Sequence, residues 1–277
     1  MSRTTTALRR SFFINLLVMV SAVVLLQACG GGGKKAPPVA DAVPTGYYGT
    51  NGTTLSTATV FTDTGTPVNI TDLQGMIYNG RLIMMSVAQK LSYDGTITVS
   101  GNSYTGSVTV YQNGAKVSTV PALVSGTIAQ GTSVSGTLAG TGAGSGTFAL
   151  TYANATPVDN SMVVRLNDWL PVNNNLSLFP IAIASLQANF VSGREAGTGS
   201  FNNCVFSGRI DPIPQTHLYT VNGNMTNMSS FPCTTSAVLT PAYSGFASLR
   251  QTTTANDTLV LTISNGAYSV NGEFDRQ

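Results

Sequence analysis

The side chains most often used in covalent or acid–base chemistry are few in this 277-residue chain, which has three cysteines, one histidine and 11 acidic residues. His217 could act as the base of a Ser-His-Asp triad, but the chain has no Gly-x-Ser-x-Gly turn to present a nucleophile. We therefore interpret His217 as a surface residue at a strand edge. A single histidine and the lack of Cys-x-x-Cys spacing also argue against a metal site. The sequence predicts no catalytic residue, metal ligand or cofactor.

Two short segments have the form of chemical motifs. The glycine-rich run Gly140–Gly146 lacks the lysine of a phosphate-binding loop and no helix start follows it, so it predicts a hairpin turn or a close crossing of strands. Asp63-Thr64-Gly65 resembles the motif of aspartic proteases, whose mechanism needs two carboxylates that share a proton. Only a homodimer could supply the second copy. We interpret the segment as a turn.

The amino-terminal residues have the pattern of a targeting segment. Arg3, Arg9 and Arg10 precede an apolar run from Phe12 to Leu26, which is shorter than the ~20 residues that span a membrane. At its end, Leu26-Gln27-Ala28-Cys29 resembles the lipobox of bacterial lipoprotein signal peptides. The resemblance implies that residues 1–28 form a signal helix that is removed, and that Cys29 takes a diacylglyceryl group.

This resemblance also implies a location. Acylation of Cys29 provides several chains, each stabilised by ~0.8 kcal/mol per buried CH₂, so the anchor would be firm. Gly30 follows the cysteine, where enterobacterial lipoproteins of the inner membrane carry Asp, so it resembles an outer-membrane address. We expect a protein of the cell outer membrane, on its periplasmic or its surface face. The alternative is an ordinary secretory signal and a released, soluble protein.

With Cys29 lipidated, Cys204 and Cys233 remain as one even pair in an oxidising compartment, which favours a disulfide. Such a bridge would stabilise the fold by roughly 3 to 4 kcal/mol in the chain-entropy model. Two buried free thiols are the alternative.

Charge excludes one class of partner. Loss of residues 1–28 lowers the number of Lys and Arg from 13 to 10 against 11 acids, so the formal charge changes from +2 to −1. Nucleic-acid binding requires clustered basic side chains, so we predict no nucleic-acid partner. Only 9% of the residues are charged, while Ser, Thr, Asn and Gly are abundant, which is typical of a β-rich extracytoplasmic protein.

Strand signals recur along the chain with little helical periodicity. Three Asn-Gly pairs, at residues 79–80, 113–114 and 265–266, separate apolar runs and predict hairpins with type I′ turns. The apolar residues Val108, Val110, Ile128, Leu138, Phe148 and Leu150 alternate with small or polar residues, which predicts strands with one buried and one wet face. The fold class is all-β, an antiparallel meander forming barrels or a sandwich.

The composition of successive segments predicts how the chain is divided into parts. Residues 29–44 contain glycines and prolines without apolar periodicity and predict a lipidated tether. Two β-rich parts, 45–152 and 176–277, would flank a connection at 153–175. These parts are either two domains or one large sheet system. Trp169 in the connection is interpreted as a plug between the parts, and a sugar-stacking role is the alternative.

The carboxyl-terminal part shows a second resemblance. Cys204–Gly208, Leu218–Val221, Cys233, Ala242–Ala247 and Leu259–Leu261 form a pattern that resembles uncharacterised proteobacterial β-rich lipoproteins and secreted β-proteins. The resemblance implies no activity. Gly208 and Gly245 are expected to relieve crowding where strands bend.

One apolar cluster bears on function. Core filling is the expected role of its six members, although they could line a lipocalin-like ligand cavity: Met76, Ile77, Leu82, Ile83, Met84 and Met85. The sequence favours a noncatalytic outer-membrane lipoprotein that serves as a binding or structural component of the envelope, with a protein or glycan partner. A carrier of a small apolar ligand and an envelope hydrolase are the alternatives.

Overall fold

The structure is a computed structural model that describes residues 40–49, 58–61, 67–140, 144–153, 169–171, 181–187, 190–195, 204–227, 241–251 and 257–276. Residues 41–277 form one compact unit. The described residues form antiparallel strands and no helix, which confirms the all-β prediction. In these ranges no helix has the length and hydropathy of a membrane-spanning segment. The signal segment, Cys29, Asp63–Gly65 and Cys233 lie outside the described residues.

The amino-terminal strands make one large sheet, here called the first sheet. Its strands are β1 (Gly46–Tyr48), β2 (Ala58–Phe61), β3 (Pro67–Ile70), β4 (Gln74–Tyr78), β5 (Arg81–Ser86), β6 (Leu91–Ser100), β7 (Ser103–Gln112), β8 (Ala115–Lys116), β9 (Ala122–Ala129), β10 (Ser133–Gly140) and β11 (Gly144–Thr151). Within the described ranges the order is β1-β4-β5-β6-β7-β9-β10-β11-β2-β3, and β8 pairs with β7. Most neighbours in space are also neighbours in sequence, as a meander requires.

The carboxyl-terminal strands close into a barrel. They are β12 (Trp169–Pro171), β13 (Ile181–Gln187), β14 (Phe190–Glu195), β15 (Cys204–Pro212), β16 (Leu218–Asn227), β17 (Tyr243–Gln251), β18 (Asp257–Ser264) and β19 (Ser269–Arg276). Each strand pairs with the next, and β12 pairs with β19 to close the ring. The closing strand lies within residues 153–175, where the sequence indicated only a connection. Its three residues and terminal proline give too short a pattern to recognise.

Two of the three predicted turns have the expected geometry. Asn79 and Gly80 have φ values of 48° and 73°, and Asn113 and Gly114 have 50° and 78°, so both pairs make two-residue turns of the type I′ class. The type I′ prediction is wrong at Asn265–Gly266, where Ser264 pairs with Ser269 across a four-residue loop.

The side chain of Asn265 explains this difference. Its Oδ1 atom accepts hydrogen bonds from the backbone amides of Ala267 at 3.0 Å and Tyr268 at 2.7 Å. An asparagine that caps backbone amides in this way stabilises a longer loop. The hairpin itself is formed by β18 and β19, as predicted.

The first sheet curls around its own hydrophobic core. All six alternating residues predicted to face inward are buried, from Val108 in β7 to Leu150 in β11. A Cβ atom added to Gly75 in β4 would lie 2.6 Å from Cδ1 of Leu150, so strands far apart in the sheet order face each other. Tyr104 lies across β9 and β10, because a Cβ atom on Gly136 would lie 2.4 Å from its hydroxyl oxygen.

The last residues of the predicted tether pack on this sheet. Ala42 is buried in the core, and its amide donates to the carbonyl of Gly101 at 2.8 Å. The Asp41 carboxylate accepts from the amide of Gly101 at 2.7 Å. The folded body therefore includes residues 41 and 42, which lie inside the stretch 29–44 that composition assigned to the tether.

In β15 to β19, alternate residues fill the interior of the barrel. Ile210, Val221, Ile263 and Val270 lie in one cross-strand row that also contains Gly245, and all four side chains are buried. A Cβ atom on Gly245 would lie 2.0 Å from the Thr262 carbonyl oxygen, and one on Gly208 would lie 2.4 Å from that of Asn222. Both glycines are thus required by close backbone approach, as the sequence predicted.

Candidate functional site: two regions of the first sheet

The outer side of the barrel contacts the first sheet through an apolar strip. On the barrel, Phe246 and Val260 point away from the interior row yet are buried. They pack in one hydrophobic cluster with Met76, Ile83 and Met85 of β4 and β5. We call the side of β4–β6 that faces the barrel the covered patch. Its apolar strip accounts for the burial of β4 and β5 on both of their faces.

An arginine–carboxylate pair of the first sheet lies at this contact. Arg81 donates from Nε to Oδ1 of Asp94 at 2.8 Å and from Nη2 to Oδ2 at 2.6 Å. The barrel supplies neutral partners: the Ser264 hydroxyl donates to Oδ2 of Asp94 at 2.5 Å, and the Ser244 carbonyl accepts from Nη2 of Arg81 at 3.0 Å. The guanidinium also lies 5.5 Å from the centre of the Phe246 ring.

The barrel contributes a second ion pair to the contact, and for this pair the first sheet supplies the neutral partners. Arg250 donates to both carboxylate oxygens of Glu273, each at 3.1 Å. The Gln74 side-chain amide of the first sheet donates to Glu273. The Tyr47 hydroxyl, also of the first sheet, donates to Gln74 Oε1 at 2.5 Å. Burial raises the pKa of Tyr47, while the nearby positive charge of Arg250 opposes the rise. Each sheet therefore satisfies an ion pair of the other.

Backbone hydrogen bonds extend the contact to the hairpin ends. The amide of Lys116 donates to the carbonyl of Ala267 at 3.1 Å, and the amide of Ser269 donates to the carbonyl of Gly114 at 2.8 Å. The Ser92 hydroxyl donates to that of Ser269 at 2.7 Å. Strand-like pairing therefore joins the two β systems in addition to side-chain packing.

The sequence missed the four charged residues of this contact. A usable signal was present, since Met76, Ile83 and Met85 occupy alternate positions that a half-wet strand would give to polar residues. The six-residue apolar cluster is core, as expected: Ile77, Leu82 and Met84 belong to the first-sheet core, and the other three form the covered patch.

The other residues that the sequence singled out as candidates lie at different places in the fold. Gly140 pairs with Gly144, which confirms the hairpin at the glycine-rich run. His217 lies just before β16, half-buried, and its carbonyl accepts from the Ser248 hydroxyl at 2.9 Å. Burial lowers the pKa of its imidazole. Cys204 begins β15, but Cys233 is not among the described residues, so the disulfide stays a prediction. Trp169 lies in β12, and its role as a plug also stays a prediction.

A second region of the first sheet has an exposed outer side with a uniform chemistry. We call it the hydroxyl face, and it comprises the outward positions of β9 and β10, of β6 from Thr96, of β7 as far as Ser107 and of β11 as far as Ala149. Asp94, which is on the same side of β6, belongs to the covered patch. Thirteen of the seventeen carry a hydroxyl group and none is charged: Thr96, Thr98, Ser100, Ser103, Thr105, Ser107, Leu123, Ser125, Thr127, Ala129, Ser133, Ser135, Thr137, Ala139, Ser145, Thr147 and Ala149.

Strand register arranges these side chains in rows. One row runs through five strands as successive cross-strand partners: Thr98, Thr105, Ser125, Thr137 and Thr147. Neighbouring strands lie ~4.8 Å apart, so this row is roughly 19 Å long. Hydroxyl pairs connect strands within the face, Ser125 with Thr137 at 3.2 Å and Thr127 with Ser135 at 3.3 Å.

Comparison with models of known protein families finds no match, and no curated protein matches the chain in sequence. In the described part of the chain, no group of three or more His, Cys, Asp or Glu side chains is placed to hold a metal ion.

Proposed function

We propose that the protein is a noncatalytic lipoprotein of the cell outer membrane that acts as a binding or structural component of the envelope. The lipobox at Cys29 supports the anchor. The observation that carries the choice of role is the packing of the six-residue apolar cluster, because all six side chains are at most 2% exposed and fill two cores. This packing favours a structural or binding role over a ligand cavity lined by these side chains.

Fractionation of cells that express the full chain or its Cys29→Ala variant tests the anchor. We expect metabolic palmitate labelling and outer-membrane density for the full chain, and loss of both for the variant. Labelling that survives the substitution would contradict the anchor. Saturable hydrolysis that a single substitution abolishes would contradict the noncatalytic role.

A carrier of a small apolar ligand is the second candidate, and buried tyrosines favour it. The hydroxyl oxygens of Tyr93, in the core of the first sheet, and Tyr243 have no hydrogen-bond partner among the described residues. Buried hydroxyls are usually paired with protein, water or a bound molecule. Native mass spectrometry distinguishes the candidates, since a carrier purifies with a bound molecule and a structural component does not.

A further inference from the structure

We propose that the hydroxyl face binds an uncharged polysaccharide. The inference rests on the proposed function, because it names the partner of an envelope-binding component. The hydroxyl face lies on the side of the first sheet opposite its core, beyond the residues that the barrel covers.

The absence of charge on the hydroxyl face is the first argument. Average soluble domains contain about 25% charged residues and this chain 9%, whereas none of the seventeen positions on this face is charged. Exposed sheets gain solubility and resist association when they carry charges. A surface that contacts a neutral partner instead favours uncharged side chains, because burying a charge without a counter-ion costs free energy. The face thus matches a partner that has no charge of its own.

The side-chain chemistry selects among neutral partners. Protein interfaces are enriched in Tyr, Trp, Phe, Met and Arg and depleted in Ser and Ala, which is the opposite of this composition. A lipid surface requires a large apolar or basic face, and Leu123 is the single large apolar residue among the seventeen. A hydroxyl both donates and accepts hydrogen bonds, so an array of hydroxyls matches a polymer that is itself rich in hydroxyls.

Geometry makes such binding inexpensive in entropy. Ser and Thr are short, and they lose less freedom on contact than the long side chains of Lys, Arg or Gln. The cross-strand bonds Ser125–Thr137 and Thr127–Ser135 already connect some of these hydroxyls in the free protein. Rows of hydroxyls ~4.8 Å apart across five strands allow an extended chain to make many weak contacts at once.

Depletion binding tests the proposal with the mature lipoprotein in mild detergent. The probes are insoluble uncharged polysaccharides, namely cellulose, chitin, β-1,3-glucan and cross-linked dextran, with alginate as an acidic comparison. Thr127→Lys and Ser125→Glu place charges of opposite sign at the centre of the face. The double variant Thr105→Val/Thr137→Val removes hydroxyls without adding charge. Asn224→Lys, at an exposed position of β16, is the matched control.

We expect the wild type to bind at least one uncharged probe. Each single face variant should bind about tenfold more weakly or worse, because a buried unpaired charge costs more than ~1.4 kcal/mol. The valine variant should also bind more weakly, and Asn224→Lys should bind as the wild type does. Circular dichroism and thermal melting establish that all variants are folded.

Three results would overturn the proposal: no binding to any uncharged probe, binding only to alginate, or unchanged binding by the folded face variants. Absence of binding to every uncharged probe would mean that the hydroxyl face is a solvent-exposed surface with no binding role. Failure of the proposed function has a separate signature, because it appears as unchanged membrane fractionation of Cys29→Ala, whether or not the polysaccharide binds.

Discussion

The covered patch and the hydroxyl face lie on one side of one sheet, yet they differ in charge and in apolar content. The covered patch combines Met76, Ile83 and Met85 with the ion pair of Arg81 and Asp94. The hydroxyl face has short hydroxyl side chains, three alanines and Leu123. Both sets occupy outward positions of neighbouring strands. Strand structure alone does not require this difference, and contact with the barrel accounts for the composition of the covered patch.

The comparison teaches where this protein uses charge. The first sheet places Arg81 and Asp94 where the barrel supplies hydroxyl and carbonyl partners, and the barrel places Arg250 and Glu273 where Gln74 completes the network. Buried charges are tolerated only when they are paired and hydrogen-bonded, and such networks specify one arrangement of the packed elements. The first sheet and barrel are thus fitted to each other in chemistry as well as in shape.

Removal of the barrel should have the largest effect. A chain that ends at residue 153 exposes the covered patch and leaves Asp94 and Arg81 without the hydroxyl and carbonyl partners from the barrel. We expect it to aggregate or to lack a cooperative unfolding transition in urea. A soluble fragment that unfolds cooperatively with the stability of the full chain would show that the covered patch does not need its partner.

Alkaline pH should unfold the body through its cores. Burial raises the pKa of Tyr48, Tyr93 and Tyr104 in the first-sheet core, and of Tyr47 at the barrel contact. Their folded-state pKa values exceed the unfolded value near 10, so the stabilisation is complete below about pH 10 and is lost as the pH rises further. Tyrosinate absorbance should increase together with loss of far-UV circular dichroism. Full ionisation of these phenols in a folded protein would contradict their burial.

Breaking the first-sheet ion pair should cost about 3 to 5 kcal/mol, because Asp94→Ala leaves the Arg81 guanidinium without its counter-ion in a mostly buried site. Asp211→Ala is the matched control, since its pair with Arg209 is exposed and should contribute only ~0 to 1 kcal/mol. Urea denaturation of both variants gives the comparison. Equal losses would mean that the covered pair is no more important than a surface pair.

Truncation of apolar side chains sharpens the same contrast. Met85→Ala should lower the free energy of unfolding by about 2 to 4 kcal/mol, because it opens a cavity between the two β systems. Leu123→Ala removes a side chain that is 67% exposed, and the expected change is within about 0.5 kcal/mol. Thermal melting of the two variants measures the difference. A larger loss for Leu123→Ala would show that the hydroxyl face is itself covered.

Local sequence patterns predicted much of the fold. The all-β class, the turns at Asn79–Gly80 and Asn113–Gly114, and the inward set from Val108 to Leu150 all depend on neighbours in the chain, so the sequence displays them directly. The four-residue loop at Asn265 was missed because its geometry depends on which amides the carboxamide caps.

The candidate site was much less visible in the sequence. The pairing of Asp94 with Ser264 joins residues 170 positions apart, and no local pattern encodes such a contact. The hydroxyl face was visible as abundant Ser and Thr, but its rows appear only once the strand register is known. The excess of apolar residues in β4 and β5 was the one local sign that a second element covers them.

Hydrogen exchange of the wild-type protein in increasing denaturant tests the central claim most directly, which is that the first sheet and the barrel form one body through the covered patch. We predict that the slowest amides of β5 in the first sheet and of β18 in the barrel exchange with the same free energy, equal to that of global unfolding. A barrel whose slowest amides exchange at a clearly lower free energy, while β5 stays protected, would contradict the account.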